Sequence, residues 1–151
     1  MTGDAPPVAV ERVAPDGQMD HRVRRVLIVE DEATLRRIVA RNLAGRGLQV
    51  DEAESAESAL GSVARQRPDL LLLDINLPDR TGWDVLRDLR QRKTEVPTIV
   101  ISAARANPNR LAEFHPLAYL PKPFALEALL RLVFETAGQP SRGDTEKEGN
   151  V

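Results

Sequence analysis

Apolar residues in this chain come in short unbroken runs that alternate with stretches of helical period. Val26-Leu27-Ile28-Val29, Leu70-Leu71-Leu72-Leu73 and Thr98-Ile99-Val100-Ile101 are short and nearly free of polar interruption. Such runs mark strands buried on both faces, as in a parallel sheet. Leu48-Gln49-Val50 carries a polar residue inside, and Ala118-Tyr119-Leu120 is brief; both suit sheet edges. Between the runs, apolar side chains recur at the 3.6-residue period: Leu35, Ile38, Val39 and Leu43, then Ala59, Leu60 and Val63, then Val85, Leu86 and Leu89, and finally Leu126, Leu129, Leu130 and Val133. Gly45 and Gly47 stop the first helix, and Ser55 caps the second. A fourth helix is the weak element. Pro108 can start it and Pro116 must end it, which leaves about two turns with Leu111 and Phe114 as apolar anchors. It is expected to be short or irregular.

Strand alternating with helix predicts an α/β fold: a doubly wound five-stranded parallel sheet with right-handed crossovers and helices on both faces. With the continuous strands central, the strand order is 2-1-3-4-5. Its switch point lies between the first and third strands, and ligands of such sheets bind at the carboxyl ends of the strands there. The 151 residues, 42% of them hydrophobic, suffice for one core. Pro6, Pro7, Pro15 and Gly17 stand among mixed charges without a period, so residues 1–23 read as a flexible leader; 24–138 form the folded domain, and 139–151 a polar, flexible tail.

The formal net charge is −2. No basic excess exists to neutralise a phosphate backbone, so direct nucleic-acid binding is not expected. With no cysteine there is no disulfide, thiolate metal site or thiol nucleophile. No secretory pattern opens the chain and no apolar run approaches a membrane span, which points to a cytoplasmic location without membrane insertion.

Chemistry concentrates where the strands end. The first strand runs into Glu30-Asp31-Glu32, and the leucine strand into Asp74. In the 2-1-3-4-5 order these strands are neighbours, roughly 4.8 Å apart, so Asp31 and Asp74 converge with Glu30 close by. Carboxylates crowded into one cleft either raise a pKa or hold a cation. All-oxygen donors select Mg²⁺, Mn²⁺ or Ca²⁺, and Mg²⁺ characteristically works beside a phosphate. Taken alone, the acidic turn reads first as serving the positive end of the first helix. It also argues against the main rival for this fold. A nucleotide or flavin site needs a glycine-rich turn there to cradle phosphate, and no such motif occurs. Ser102 follows the fourth strand and offers a hydroxyl. Lys122 follows the fifth and offers a positive charge, with Pro123 biasing it to an extended conformation.

The segments Val26–Glu32, Asp74-Ile75-Asn76-Leu77-Pro78-Asp79-Arg80-Thr81-Gly82, Ile101-Ser102-Ala103 and Tyr119-Leu120-Pro121-Lys122-Pro123-Phe124 resemble, in order, the receiver domain of two-component response regulators. The resemblance spans about residues 24–138 and implies the flavodoxin-like (CheY-like) fold. It implies that Asp74 accepts a phosphoryl group from a histidine kinase or phosphotransfer protein. Asp31 and Asp74 would ligate Mg²⁺ (or Mn²⁺), the backbone carbonyl of Asn76 would add a ligand, and Glu30 would act through water. Lys122 and Ser102 would contact the phosphoryl oxygens, and Tyr119 would be the aromatic switch partner of Ser102. The Lys122-Pro123 bond would be cis. The interval from Ser102 to Lys122 is shorter than the family's, and Pro116 is unexpected. No effector module is recognisable after residue 138, so the expectation is a stand-alone receiver acting on a downstream protein rather than an enzyme on a separate metabolite. Two alternatives stand beside it: a phosphorylation-independent interaction module with an idle site, and a divalent-metal phosphohydrolase. The latter would need a second acid where Asn76 stands. The sequence does not set an oligomeric state.

Overall fold

The computed structural model describes residues 23–138. The expected leader, save Val23, and the expected tail lie outside the described residues. In chain order the elements are β1 (Arg25–Val29), α1 (Ala33–Ala44), β2 (Gln49–Ala53), α2 (Ala56–Arg65), β3 (Leu70–Asp74), α3 (Gly82–Gln91), β4 (Thr98–Ser102), α4 (Pro108–Phe114), β5 (Ala118–Pro121) and α5 (Leu126–Gly138). Arg24–Leu130 form one compact unit, which holds every feature discussed below. The rest of α5 falls in a second unit; there Val133 is buried and Thr136 bonds the Leu132 carbonyl.

The five strands pair in parallel in the order β2-β1-β3-β4-β5, as the strand character predicts. The register sets Val29 beside Leu73 and Asp74 beside Ile101. Glu30, one residue past β1, therefore reaches the same rim as Asp74. Leu70 to Leu73 are completely buried, and each such side chain contributes about 1.5–3 kcal/mol of transfer free energy. Alternate strand residues Leu27, Val29, Leu71 and Leu73 share one sheet face, where they pack with Ala59, Leu60 and Val63 of α2 and Val85 and Leu89 of α3. Both helices begin with a capping box: Ser55 with Ser58, and Thr81 with Asp84.

Three elements differ from the sequence pattern. β2 extends to Ala53 rather than ending at Val50, because an edge strand needs only its backbone ladder. Its polar side chains find partners instead: Asp51 pairs with Arg25 and Glu52 with Arg36. On α1 the buried stripe is Arg36, Val39, Ala40 and Leu43, while Ile38 is 42% exposed; Ile38 sits about 100° from Val39 around the helix and farther from the other three. α4 is seven residues long, capped by the Asn107 side chain, and carries no buried residue. It ends at His115, whose φ of 49° is left-handed, one residue before Pro116. Among the described residues no helix is long and apolar enough to cross a membrane.

Candidate functional site

At the carboxyl end of the sheet the chain turns sharply through Glu30-Asp31-Glu32 into α1. The Glu30 N–H donates to the Ala53 carbonyl of β2 (3.0 Å), and the Glu30 carboxylate accepts from the Glu32 N–H (3.1 Å). Glu30 and Asp74 are each 3% exposed; Asp31 faces solvent. One carboxylate oxygen from each of the three lies within 4.8 Å of the others. The expected convergence at the switch point is therefore present, with Glu30 an equal member.

Lys122 enters this cluster from the end of β5. Its Nζ is 2.9 Å from Glu30 Oε1 and 2.9 Å from Asp74 Oδ2. The Lys122-Pro123 bond is cis, as the resemblance implies, and the Lys122 N–H donates to the Ser102 carbonyl (2.8 Å). Burial pushes the Glu30 carboxyl above its ordinary value, against the hydrogen bond from Lys122. For Lys122, burial alone would lower the pKa, but hydrogen bonds to Asp74 and Glu30 together outweigh it and the net shift is upward. The lysine thus stays charged between two buried acids. The donor set is all oxygen, with two buried carboxylates and one exposed one, and the chain offers no thiolate. These residues fit a small hard dication such as Mg²⁺ or Mn²⁺.

The loop after β3 is built to hold Asp74 still. The Asn76 N–H donates to Asp74 Oδ1 (3.0 Å), Asn76 forms an isolated bridge with Thr81, and the Gly82 N–H donates to the Ile75 carbonyl (2.8 Å). A Cβ on Gly82 would lie 2.7 Å from the Asp74 carbonyl oxygen, so only glycine fits this return. Asp79, at the loop tip, reaches across to α2. Its two carboxylate oxygens accept the Ala56 and Glu57 N–H groups at 2.9 Å each, which holds its carboxyl below the ordinary aspartate range. Sequence reasoning missed Asp79, because its partner lies 22–23 residues upstream and no local pattern marks the pairing.

Ser102 is buried, and its Oγ accepts the Ala104 N–H (3.0 Å). The Ala104 carbonyl in turn accepts the Tyr119 hydroxyl. Ser102 and Tyr119, expected as a pair, are thus joined through one residue of the β4–α4 loop. On the neighbouring side, Phe114 of α4 stacks on Trp83 of α3, with ring centroids 5.9 Å apart and planes 15° off parallel. The Arg90 guanidinium lies 4.6 Å from the Phe114 ring centroid.

A sequence model of the response regulator receiver domain family matches residues 26–134. The chain is 44% identical over 112 residues to the KDP operon transcriptional regulatory protein KdpE of Escherichia coli, a match covering 71% of this chain and 49% of that protein. It is 41% identical over 108 residues to response regulator MprA of Mycobacterium leprae, covering 70% and 47% respectively. The chain spans about half the length of these curated relatives. Among solved structures it is similar to response regulator TrrA of Thermotoga maritima, crystallised with Mg²⁺ and BeF, with a TM-score of 0.65 and 28% identity over 75% of this chain and 98% of that one.

Proposed function

The chain belongs to the response regulator receiver domain family, and on that premise we propose that Asp74 is its phosphoacceptor, loaded by a histidine kinase or phosphotransfer protein. The observation that carries this reading is Lys122, whose ammonium bridges two buried carboxylates at the ends of different strands. An idle site kept only for its fold has no use for that arrangement. In the proposed step an Asp74 carboxylate oxygen attacks the phosphorus of a phosphohistidine. The P–N bond breaks, its electron pair leaves on the imidazole, and an acyl phosphate forms on Asp74. Such transfer depends on positioning and charge neutralisation. Asp31, Asp74 and the Asn76 carbonyl, with Glu30 nearby, would hold Mg²⁺, which when bound would supply part of that neutralisation. Lys122 supplies the rest as its Nζ shifts from the Asp74 carboxylate to the new phosphoryl oxygens.

The product adds about −1.5 to −2 charges at neutral pH. Ser102 Oγ, engaged with the Ala104 N–H in the resting state, turns toward them. That releases the loop that Tyr119 holds by its hydroxyl, and the change reaches α4 and β5. The downstream partner is a protein that reads residues 105–117 through its different affinity for the two states. KdpE is named as a transcriptional regulatory protein, but the net charge of −2 on this chain favours a protein partner over direct DNA contact. The working unit is residues 24–138, acting in the cytoplasm. The test is incubation with Mg²⁺ and a small phosphodonor, read on a phosphate-affinity gel. The wild type is expected to shift and Asp74→Asn not to; full labelling of Asp74→Asn would overturn the assignment.

A further inference from the structure

Arg36 is the fourth residue of α1 and is 8% exposed. A buried guanidinium is costly unless paired and hydrogen-bonded, and the first turn is the positive end of the helix, where a cation is disfavoured. The helix itself gains nothing there: its first turn holds no acid, and Glu32 makes no side-chain cap. What the guanidinium does instead is reach back. Its NH1 donates to the Glu30 carbonyl at 2.8 Å in a buried contact, and its Nε pairs with Glu52 of β2 at 2.9 Å. The backbone N–H of the same residue donates to the Glu32 carbonyl at 3.0 Å. One residue therefore grips both ends of the Glu30-Asp31-Glu32 turn. Asp31 lies between those grips, and among the described residues nothing donates a hydrogen bond to its carboxylate. Its place beside Glu30 and Asp74 is set by the backbone of the turn alone.

We propose that Arg36 is a positioning residue for the divalent cation: its guanidinium, braced by Glu52, fixes the Glu30 carbonyl while the helix backbone bond fixes the Glu32 carbonyl, and so holds the acidic turn with Asp31 and Glu30 meeting Asp74 before a metal arrives. Arg36 touches neither metal nor phosphoryl group and acts only through the turn. The inference rests on the reading of the site given above and adds to it the element that determines metal affinity. The contribution is pre-organisation. A turn already in the binding geometry loses no freedom when the cation binds, and partners that orient metal ligands typically govern affinity by about 10–100-fold.

The experiment uses the full chain as wild type, Arg36→Met and Arg36→Lys, with Mg²⁺ affinity measured by titration calorimetry and folding by circular dichroism without metal. Arg36→Met is expected to bind Mg²⁺ about 10–100-fold more weakly. The Mg²⁺ concentration for half-maximal labelling should rise in parallel, while labelling at saturating Mg²⁺ falls much less. A strap that only stabilised the fold would depress labelling equally at every Mg²⁺ concentration, and that result would overturn the inference. So would equal Mg²⁺ affinity in wild type and Arg36→Met. If Arg36→Met does not fold, Arg36→Lys decides. It keeps the charge, but one ammonium on a shorter reach cannot hold both Glu52 and the Glu30 carbonyl, so weaker Mg²⁺ binding is expected and unchanged binding refutes the role. A wild-type chain that takes neither Mg²⁺ nor label overturns the reading of the site itself, and this inference with it.

Discussion

Lys122 and Gly82 fix Asp74 in different ways: Lys122 pairs with its carboxylate by charge, and Gly82 makes room for its backbone carbonyl by the absence of a side chain. Lys122 neutralises two acids that burial would otherwise make mutually repulsive. Replacing it with Met leaves Glu30 and Asp74 without their cation, so Lys122→Met is expected to slow phosphorylation strongly at saturating Mg²⁺ while leaving Asp74 in place to be labelled. Single-turnover labelling measures this. Gly82 acts through space. Its missing Cβ admits the Asp74 carbonyl oxygen and the Ile75 Cα, which a methyl group would meet at 2.7 and 3.0 Å. Both neighbours are backbone, so Gly82→Ala must displace the end of β3. Overpacking of this kind costs about 1–3 kcal/mol, expected as a lower denaturation midpoint in urea together with impaired labelling. The acidic residues, Ser102 and Lys122 were legible in the sequence because each sits at the end of an apolar run. Arg36 and Asp79 were not, since each is defined by a partner on another element, and an arginine in a helix pattern gives no sign that it turns inward.

Among the elements, α4 and α2 are held in contrasting ways. α4 has no buried residue of its own; it is held to α3 by Phe114, packed against Trp83 and under Arg90, and by the Arg90 guanidinium, which donates to the Glu113 carbonyl at 2.6 Å. Stacked aromatic pairs contribute about 0.5–1.5 kcal/mol beyond buried area. Phe114→Ala is accordingly expected to accelerate hydrogen exchange across 105–117 and leave α3 nearly unchanged. In the wild type, exchange there should be fast and should slow when Asp74 is phosphorylated. α2 is held at its start by two residues, Ser55 from its own chain segment and Asp79 from the acceptor loop. Because Asp79 titrates below the ordinary aspartate value, its contribution is complete above about pH 3.9 and disappears as pH falls through the lower folded value. The acid limb of a melting-temperature profile should therefore be shallower in Asp79→Asn. The helices' existence was readable from period and punctuation. Their exact faces were less so: Leu35, Ile38, Val39 and Leu43 fit one helical stripe, yet the packed helix buries Arg36, Val39, Ala40 and Leu43 and leaves Ile38 exposed.

At the scale of the molecule, the sheet order follows from strand character because a parallel strand covered on both faces has no place for polar residues, whereas an edge strand does. The reach of β2 to Ala53 was not legible, because the backbone ladder with β1 is indifferent to side-chain polarity. The site couples to the stability of the whole domain through its repulsion. Three carboxylates crowd together and Lys122 pairs with only two of them, so metal binding should raise the melting temperature, by the equivalent of about 2.7 kcal/mol at a hundredfold excess over Kd. Asp31→Ala should abolish that rise and leave the metal-free protein at least as stable as wild type, since an exposed like charge beside two buried ones is removed. Calorimetric melts with and without Mg²⁺ check both parts. The stack of Trp83 on Phe114 has an optical consequence. The protein contains a single tryptophan, placed one residue beyond the glycine that closes the acceptor loop, with its ring facing the last residue of α4. Its emission is therefore a built-in gauge of whether α4 rests on α3. A change of indole fluorescence on phosphorylation that is lost in Phe114→Leu would time the rearrangement of α4 against α3 directly, without any label added to the chain.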